Sequence, residues 1–195
     1  MNSSNKLIKF TFISTLMFSF LIFSQTNANA AAKEASPPAV GDVAKDFQLS
    51  DLQGKKIKLS DQVKQGPVVL LVLRGYPGYQ CPLCTRQVSQ FINSAARFKA
   101  AKTSVLLVYP GAVNSLNTKA GEFIQSQQLP ANFHFLTDPG YKFTNAYGLR
   151  WDAKNETAYP STFIIGTDGK VKYAKISKTH GNRSNAKEVL QKLAD

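Results

Sequence analysis

Six consecutive apolar residues, Val68-Val69-Leu70-Leu71-Val72-Leu73, are followed one short loop later by Cys81-Pro82-Leu83-Cys84. The run is opened by Gly66-Pro67, is rich in β-branched residues and leucine, and is too short for an ordinary helix. A segment apolar at every position predicts a central strand buried on both faces. Beyond Cys84 the spacing changes, and Val88, Phe91, Ile92, Ala95 and Phe98 fall on one helical face. The cysteines therefore stand where a buried strand gives way to a helix, with Pro82 suited to the first helical position. A strand covered on both faces needs neighbouring strands and a layer on each side, which makes the chain an α/β protein.

The remaining elements fit around that strand. Phe47-Gln48-Leu49 and Ile57-Lys58-Leu59 alternate apolar and polar residues about the turn Asp51-Leu52-Gln53-Gly54 and predict an N-terminal β-hairpin. A second buried strand is expected at Val105-Leu106-Leu107-Val108, then a loop with Pro110 and Gly111, then a helix from about Ser115 to Gln128 ended by Pro130. A short strand (Phe133 to Leu136), a short helix (Tyr141 to Tyr147), a hairpin (Ser161 to Ile165 and Val171 to Ile176 around Asp168-Gly169) and an amphipathic helix (Asn185 to Leu193) complete the chain. This order is that of a thioredoxin-like three-layer α/β/α sandwich with an N-terminal β-hairpin extension, expected over residues 43–195.

At the N-terminus, Lys6 and Lys9 precede a mostly apolar run from Phe10 to Phe23, then polar residues and Ala28-Asn29-Ala30. That order predicts a secretory signal peptide over residues 1–30, because the run falls short of the roughly 20 residues a membrane-spanning helix needs. The mature protein is then expected to be exported, periplasmic or extracytoplasmic, without an integral membrane segment. Residues 31–42, with Ser36-Pro37-Pro38, are expected to form a flexible or extended leader.

The net charge is +12, and removing the signal takes away two lysines and no acid. The basic residues are dispersed along the chain, Lys55, Lys99, Lys172 and Lys178 among them, which favours a solvated basic surface over a nucleic-acid groove.

The chain has two cysteines, only three positions apart. A bridge closing so short a loop stabilises little, so a structural staple is disfavoured even in an oxidising compartment. A helix N-terminus instead lowers a thiol pKa, and one helical turn brings two sulfurs within reach of a reversible disulfide. A zinc site would need two further ligands, and neither His134 nor His180 lies at a ligand spacing. No cofactor or metal is required.

The segment Val68 to Val88, with Leu-Val-Leu-Arg-Gly at 71–75 and Cys-Pro-Leu-Cys-Thr-Arg-Gln at 81–87, resembles the active-site strand and helix of the AhpC/TSA (peroxiredoxin) family. Ala146-Tyr147-Gly148-Leu149 and Ser161-Thr162-Phe163-Ile164-Ile165 are similar to later family segments, so the resemblance spans about Val43 to Leu193. It implies a thiol peroxidase, with Cys84 as the peroxidatic thiol, Pro77 shielding it, and Cys81 in the family's Thr/Ser place and positioned to resolve the sulfenic acid. It further implies a peroxide substrate, hydrogen peroxide or organic, and an external dithiol reductant such as a thioredoxin-like protein.

One departure matters. The family usually carries an arginine two residues before the Thr-Phe of the late hairpin, and this chain has Pro160. The peroxide-activating cation must then come from elsewhere, with Arg74 and Arg150 as candidates. Pro160 also resembles the cis-proline of thioredoxins and of TlpA/ResA-type thiol–disulfide oxidoreductases, which keeps disulfide exchange open as an alternative, with Cys81 attacking and Cys84 releasing product. A Cu(I)-binding chaperone on the same fold is the non-enzymatic alternative, since soft thiolates suit Cu(I).

Overall fold

The computed structural model describes Met1 and residues 35–195; the signal peptide expected at 1–30 lies outside the described residues. The N-terminal hairpin forms as its alternation requires. Strands β1 (Gln48–Asp51) and β2 (Lys56–Lys58) pair antiparallel, and Asp51 Oδ1 pins the turn by accepting from the backbone N–H of Gln53 at 3.0 Å and Lys55 at 2.8 Å. Leu59, expected to extend β2, instead begins the short helix α1 (Leu59–Val63) and buries its side chain there.

The apolar run becomes β3 (Val68–Val72), and the helix after the cysteines divides into α2 (Pro82–Asn93) and α3 (Ala95–Ala100). The apolar spacing predicts a single helix across Ser94. There the backbone leaves helical geometry (φ −100°, ψ 8°), at a residue that competes poorly in helix interiors because its side chain favours caps and turns.

Next come β4 (Ser104–Gly111), α4 (Leu116–Ile124), β5 (Phe133–Pro139) and α5 (Lys142–Ala146), then β6 (Ser161–Ile165), β7 (Val171–Ile176) and α6 (Ala186–Ala194). Pro110 and Gly111, read as loop, belong to β4 because β5 runs beside them, with Pro110 opposite Asp138 and Gly111 opposite Pro139. Helix α4 stops four residues before the expected Gln128. The chain leaves it in a turn, Gln127 N–H donating to Ile124 C=O at 2.8 Å, as Leu129 must avoid helical geometry ahead of Pro130.

The seven strands among the described residues form one sheet in the order β2-β1-β5-β4-β3-β6-β7. Strands β3, β4 and β5 are mutually parallel at its centre, and β1, β6 and β7 join antiparallel. Alternation along β3 divides the core. Val69, Leu71 and Leu73 face Val88 and Phe91 of α2, Phe98 of α3, Ala120 and Phe123 of α4, and Val189 of α6. Val68, Leu70 and Val72 face the other layer, which holds Leu59, Phe143, Tyr147 and Leu149. A strand that feeds two cores must be apolar at every position, which is why the run is unbroken.

The folded unit begins earlier than Val43. Residues 35–42 are anchored, with a turn in which Asp42 N–H donates to Ala39 C=O at 3.1 Å: Gly41 N–H donates to Val171 C=O at 2.8 Å, and Val171 N–H donates to Asp42 C=O at 2.9 Å. A Cβ on Gly148 would lie 2.1 Å from the Ala35 carbonyl oxygen, so the chain passes directly over that glycine.

Candidate active site

The cysteines occupy the junction that their spacing implies. Cys81 is the residue capping the start of α2, Pro82 begins the helix, and Cys84 lies in its first turn. Both thiols are free and both are buried, at 3% exposure for Cys81 and 1% for Cys84. Thr85 donates its backbone N–H to Cys81 C=O at 3.1 Å, so helical hydrogen bonding starts at the first cysteine.

The cation beside the sulfurs is Arg183, which comes from the loop between β7 and α6. Its Nη1 donates to Cys84 Sγ at 3.0 Å and its Nη2 lies 3.6 Å from Cys81 Sγ. The next residue, Ser184, is fixed from two sides: Gln87 Nε2 of α2 donates to its carbonyl at 2.9 Å, and its hydroxyl shares a hydrogen with Thr162 at 2.5 Å. Tyr109 closes the pair from β4, its hydroxyl donating to Gln80 Oε1 at 2.8 Å. Burial pushes that phenol above its usual range, which keeps it protonated.

The first proton leaves this pair easily. The Cys81 thiol is brought down to about 5, chiefly because the Cys84 thiol donates a hydrogen bond to the sulfur; burial opposes this, and the charges of Arg183 and Arg74 assist. Cys84 is raised, first as the donor in that bond and then by burial, while Arg183 works the other way. The pair thus holds one negative charge between two sulfurs under one guanidinium.

The residues named from sequence separate clearly. Pro77 lies half-buried in the bend of residues 77–79, four positions ahead of Cys81. Arg74 is 1% exposed, and its cation is already paired: Nε donates to Glu156 Oε2 at 2.7 Å, Nη1 to the Tyr79 hydroxyl at 2.6 Å and Nη2 to Asn155 C=O at 2.7 Å. It contributes charge to Cys81 from a distance. Arg150 does not reach the sulfurs; its Nη1 donates to the carbonyls of Trp151 and Thr157, and its guanidinium lies over the Tyr141 ring at 4.1 Å. The 159–160 peptide bond is trans, which corrects the cis-proline expectation at Pro160. Trans is the preferred isomer even before proline; Pro160 C=O accepts from Ser177 N–H at 2.9 Å, next to the Ser161–Ile176 pair of β6 and β7.

A cavity of about 230 Å³ opens beside Arg183, lined by Leu83, Arg86, Gln87, Gln90, His180 and Asn182. A larger hollow of about 630 Å³, lined by Lys55, Lys58, Lys99 and His134, includes Ser104 and Asn132 at the start of β4 and just ahead of β5, the end of the sheet away from the cysteines. His134 therefore belongs elsewhere, and His180 belongs to the cysteine end.

These features define a thioredoxin-fold protein with a buried, arginine-stabilised dithiol. The AhpC/TSA family profile matches residues 40–174, and the chain belongs to that family. Peroxiredoxin Q, chloroplastic, of Triticum aestivum is 31% identical over 133 residues, 68% of this chain and 57% of its own length. The chain thus spans a little over half the length of that relative. Peroxiredoxin Bcp of Escherichia coli K12 is 28% identical over 144 residues, 71% of this chain and 85% of its own. Among solved structures, the peroxidoxin BcpB of Mycobacterium tuberculosis superimposes with a TM-score of 0.65 at 24% identity, covering 80% of this chain and 97% of its own, which shows the shared fold.

Proposed function

We propose that this protein is an exported thiol peroxidase that reduces hydrogen peroxide or small organic peroxides through Cys84 and Cys81. The observation that carries the reading is Arg183 seated on both sulfurs of a reduced pair at the start of α2. Its guanidinium supplies, from a different loop, the cation that the family usually draws from the position held here by Pro160.

In this reading the Cys81 sulfur takes the Cys84 proton, and the Cys84 thiolate attacks one peroxide oxygen. The O–O bond breaks, the departing oxygen takes a proton to become water or alcohol, and Cys84 is left as sulfenic acid. Cys81 thiolate then attacks the Cys84 sulfur, the S–O bond breaks, water leaves and a disulfide remains. Two electrons have passed from the dithiol to the peroxide, and an external dithiol protein, thioredoxin-like in chemistry, returns them. Arg183 holds negative charge on the sulfurs before the attack and can donate to the peroxide oxygen during it.

Single cysteine variants test this. Cys84→Ser is expected to abolish peroxide consumption, whereas Cys81→Ser is expected to form one sulfenic acid per chain and stall. Equal single-turnover rates in both variants would sink the assignment.

One observation favours a second reading, thiol–disulfide exchange. The Cys81 thiol is lowered and the Cys84 thiol raised, with Cys84 as hydrogen-bond donor, the order expected if Cys81 attacks a substrate disulfide. A mixed disulfide trapped on Cys81 in Cys84→Ser, together with peroxide reactivity no greater than that of free cysteine, would select it. Export follows from the N-terminal pattern, and fractionation of cells making the full chain, with the mature N-terminus sequenced, tests it.

A further inference from the structure

The loop that carries Arg183 and the loop that precedes the cysteines are joined by one carboxylate. Glu156 Oε2 accepts from Arg74 Nε at 2.7 Å, and its Oε1 lies 2.8 Å from His180 Nε2. The His180 carbonyl accepts from Arg183 Nε at 2.7 Å, and Arg183 Nη1 reaches Cys84 Sγ at 3.0 Å. A continuous path thus runs Arg74, Glu156, His180, Arg183, Cys84, drawing on three separate loops.

Each link is held on more than one side. Glu156 sits in the loop between α5 and β6, where its N–H donates to Ala153 C=O at 3.0 Å and the neighbouring Thr157 C=O accepts from Trp151 N–H at 3.1 Å. The Trp151 indole stacks on Tyr159 at 4.8 Å and lies 5.3 Å from the His180 ring, so that ring is fixed by packing as well as by the carboxylate. Lys178 lies over the Tyr159 ring at 4.1 Å. Glu156 is held below the usual carboxylate range: burial works against this, and the hydrogen bonds from Arg74 and His180 outweigh it.

We propose that Glu156 and His180 are positioning residues that hold the Arg183 guanidinium against the two sulfurs, so that the reactivity of the cysteine pair is set by a carboxylate that touches neither. The inference rests on the reading of Cys81 and Cys84 as the reactive pair, and on nothing about the oxidant. Its sign distinguishes it from a plain charge effect. A nearby carboxylate acting by charge alone disfavours a thiolate, so removing it would make the thiols more acidic. A carboxylate that acts by holding Arg183 in place does the reverse. The competing anchor is Ser184, fixed by Gln87 and Thr162, which would keep Arg183 in place unaided if it sufficed.

The test is the pH profile of iodoacetamide alkylation of the reduced full chain, with unfolding temperatures measured alongside. His180→Phe preserves a ring against Trp151 and removes the link to Glu156; its partly exposed side chain makes it a tolerated site. Glu156→Gln retains the size of a buried side chain and serves as the second variant. Both are expected to move the alkylation midpoint upward, in the direction of Arg183→Gln; a midpoint higher by about one pH unit makes alkylation below it about tenfold slower. The double variant His180→Phe/Arg183→Gln is expected to be no slower than Arg183→Gln alone, because both changes remove the same interaction. Midpoints that stay at the wild-type value, or fall, in both His180→Phe and Glu156→Gln while Arg183→Gln rises would overturn the proposal in favour of the Ser184 anchor. A raised midpoint in a protein that ignores peroxide would sustain the positioning and defeat the peroxidase reading, so the two fail separately.

Discussion

Arg183 Nη1 donates to Cys84 Sγ across 3.0 Å, although 99 positions separate the two residues in the chain. A hydrogen bond to a charged group contributes about 1.5–3 kcal/mol, or roughly ten- to a hundredfold in an equilibrium or rate. Arg183→Gln is therefore expected to slow thiol oxidation by hydrogen peroxide at neutral pH by about that factor while the unfolding temperature changes little. Stopped-flow thiol loss in the two proteins checks it, and equal rates would remove Arg183 from the site.

The acidity of the pair gives a second expectation. With the Cys81 thiol brought down to about 5, a thiolate is present at any pH above that value, whereas an ordinary cysteine becomes one only near pH 8.5. Alkylation of the reduced protein is expected to hold its plateau from alkaline pH down to about 6 and to fall through a midpoint near 5. A midpoint near 8.5 would contradict the electrostatic account of the site.

Most of the fold was legible because the buried strands announce themselves. Val68 to Val72 reads as a central strand from its shortness, its β-branched residues and the Gly66-Pro67 before it, and the late hairpin at Ser161 to Ile165 and Val171 to Ile176 follows from its turn. What sequence missed is tertiary. Leu59, Pro110 and Gly111 took their state from neighbours that local pattern does not reveal, the burial of the short helix α1 and the length of β5. Arg183 was overlooked in a basic chain where no local motif marks it. Topology marks it, since Val72 pairs with Ser161 and Ser161 with Ile176, so the loop after β7 returns to the end of β3 where the cysteines begin. Arg74, named from sequence, lends charge to Cys81, but its N–H donors are taken by Glu156, Tyr79 and Asn155, so the direct contact with the sulfurs falls to Arg183.

That ion pair carries a stability prediction. Arg74 and Glu156 are both largely buried, and deleting one partner of such a pair costs about 3–5 kcal/mol because the other is left as a buried charge. Glu156→Ala is expected to show that loss in urea denaturation at pH 7. Since the folded protein holds Glu156 below its ordinary value, the stabilisation is present above the ordinary carboxylate range and is lost as pH falls through the lowered folded value. The variant should therefore lose less stability than the wild type on acidification. Parallel acid profiles would show that the pair contributes no linkage.

Gly75 supplies a test of the loop that aims the cysteines. It adopts φ +74°, and a Cβ there would lie 2.0 Å from the Pro110 carbonyl oxygen. Gly75→Ala must push β4 and the cysteine loop apart, and it is expected to cost more than the roughly 1–2 kcal/mol of the left-handed conformation alone. Thermal unfolding measures it; a loss below about 1 kcal/mol would mean that the loop yields freely.

The most direct test of the central claim is the rate at which the reduced chain loses its thiols on mixing with one equivalent of hydrogen peroxide at pH 7, beside free cysteine at the same concentration. The expected result is a rate orders of magnitude above the control, abolished in Cys84→Ser. A rate matching free cysteine would contradict the account, and would leave Arg183 and the dithiol as apparatus for disulfide exchange.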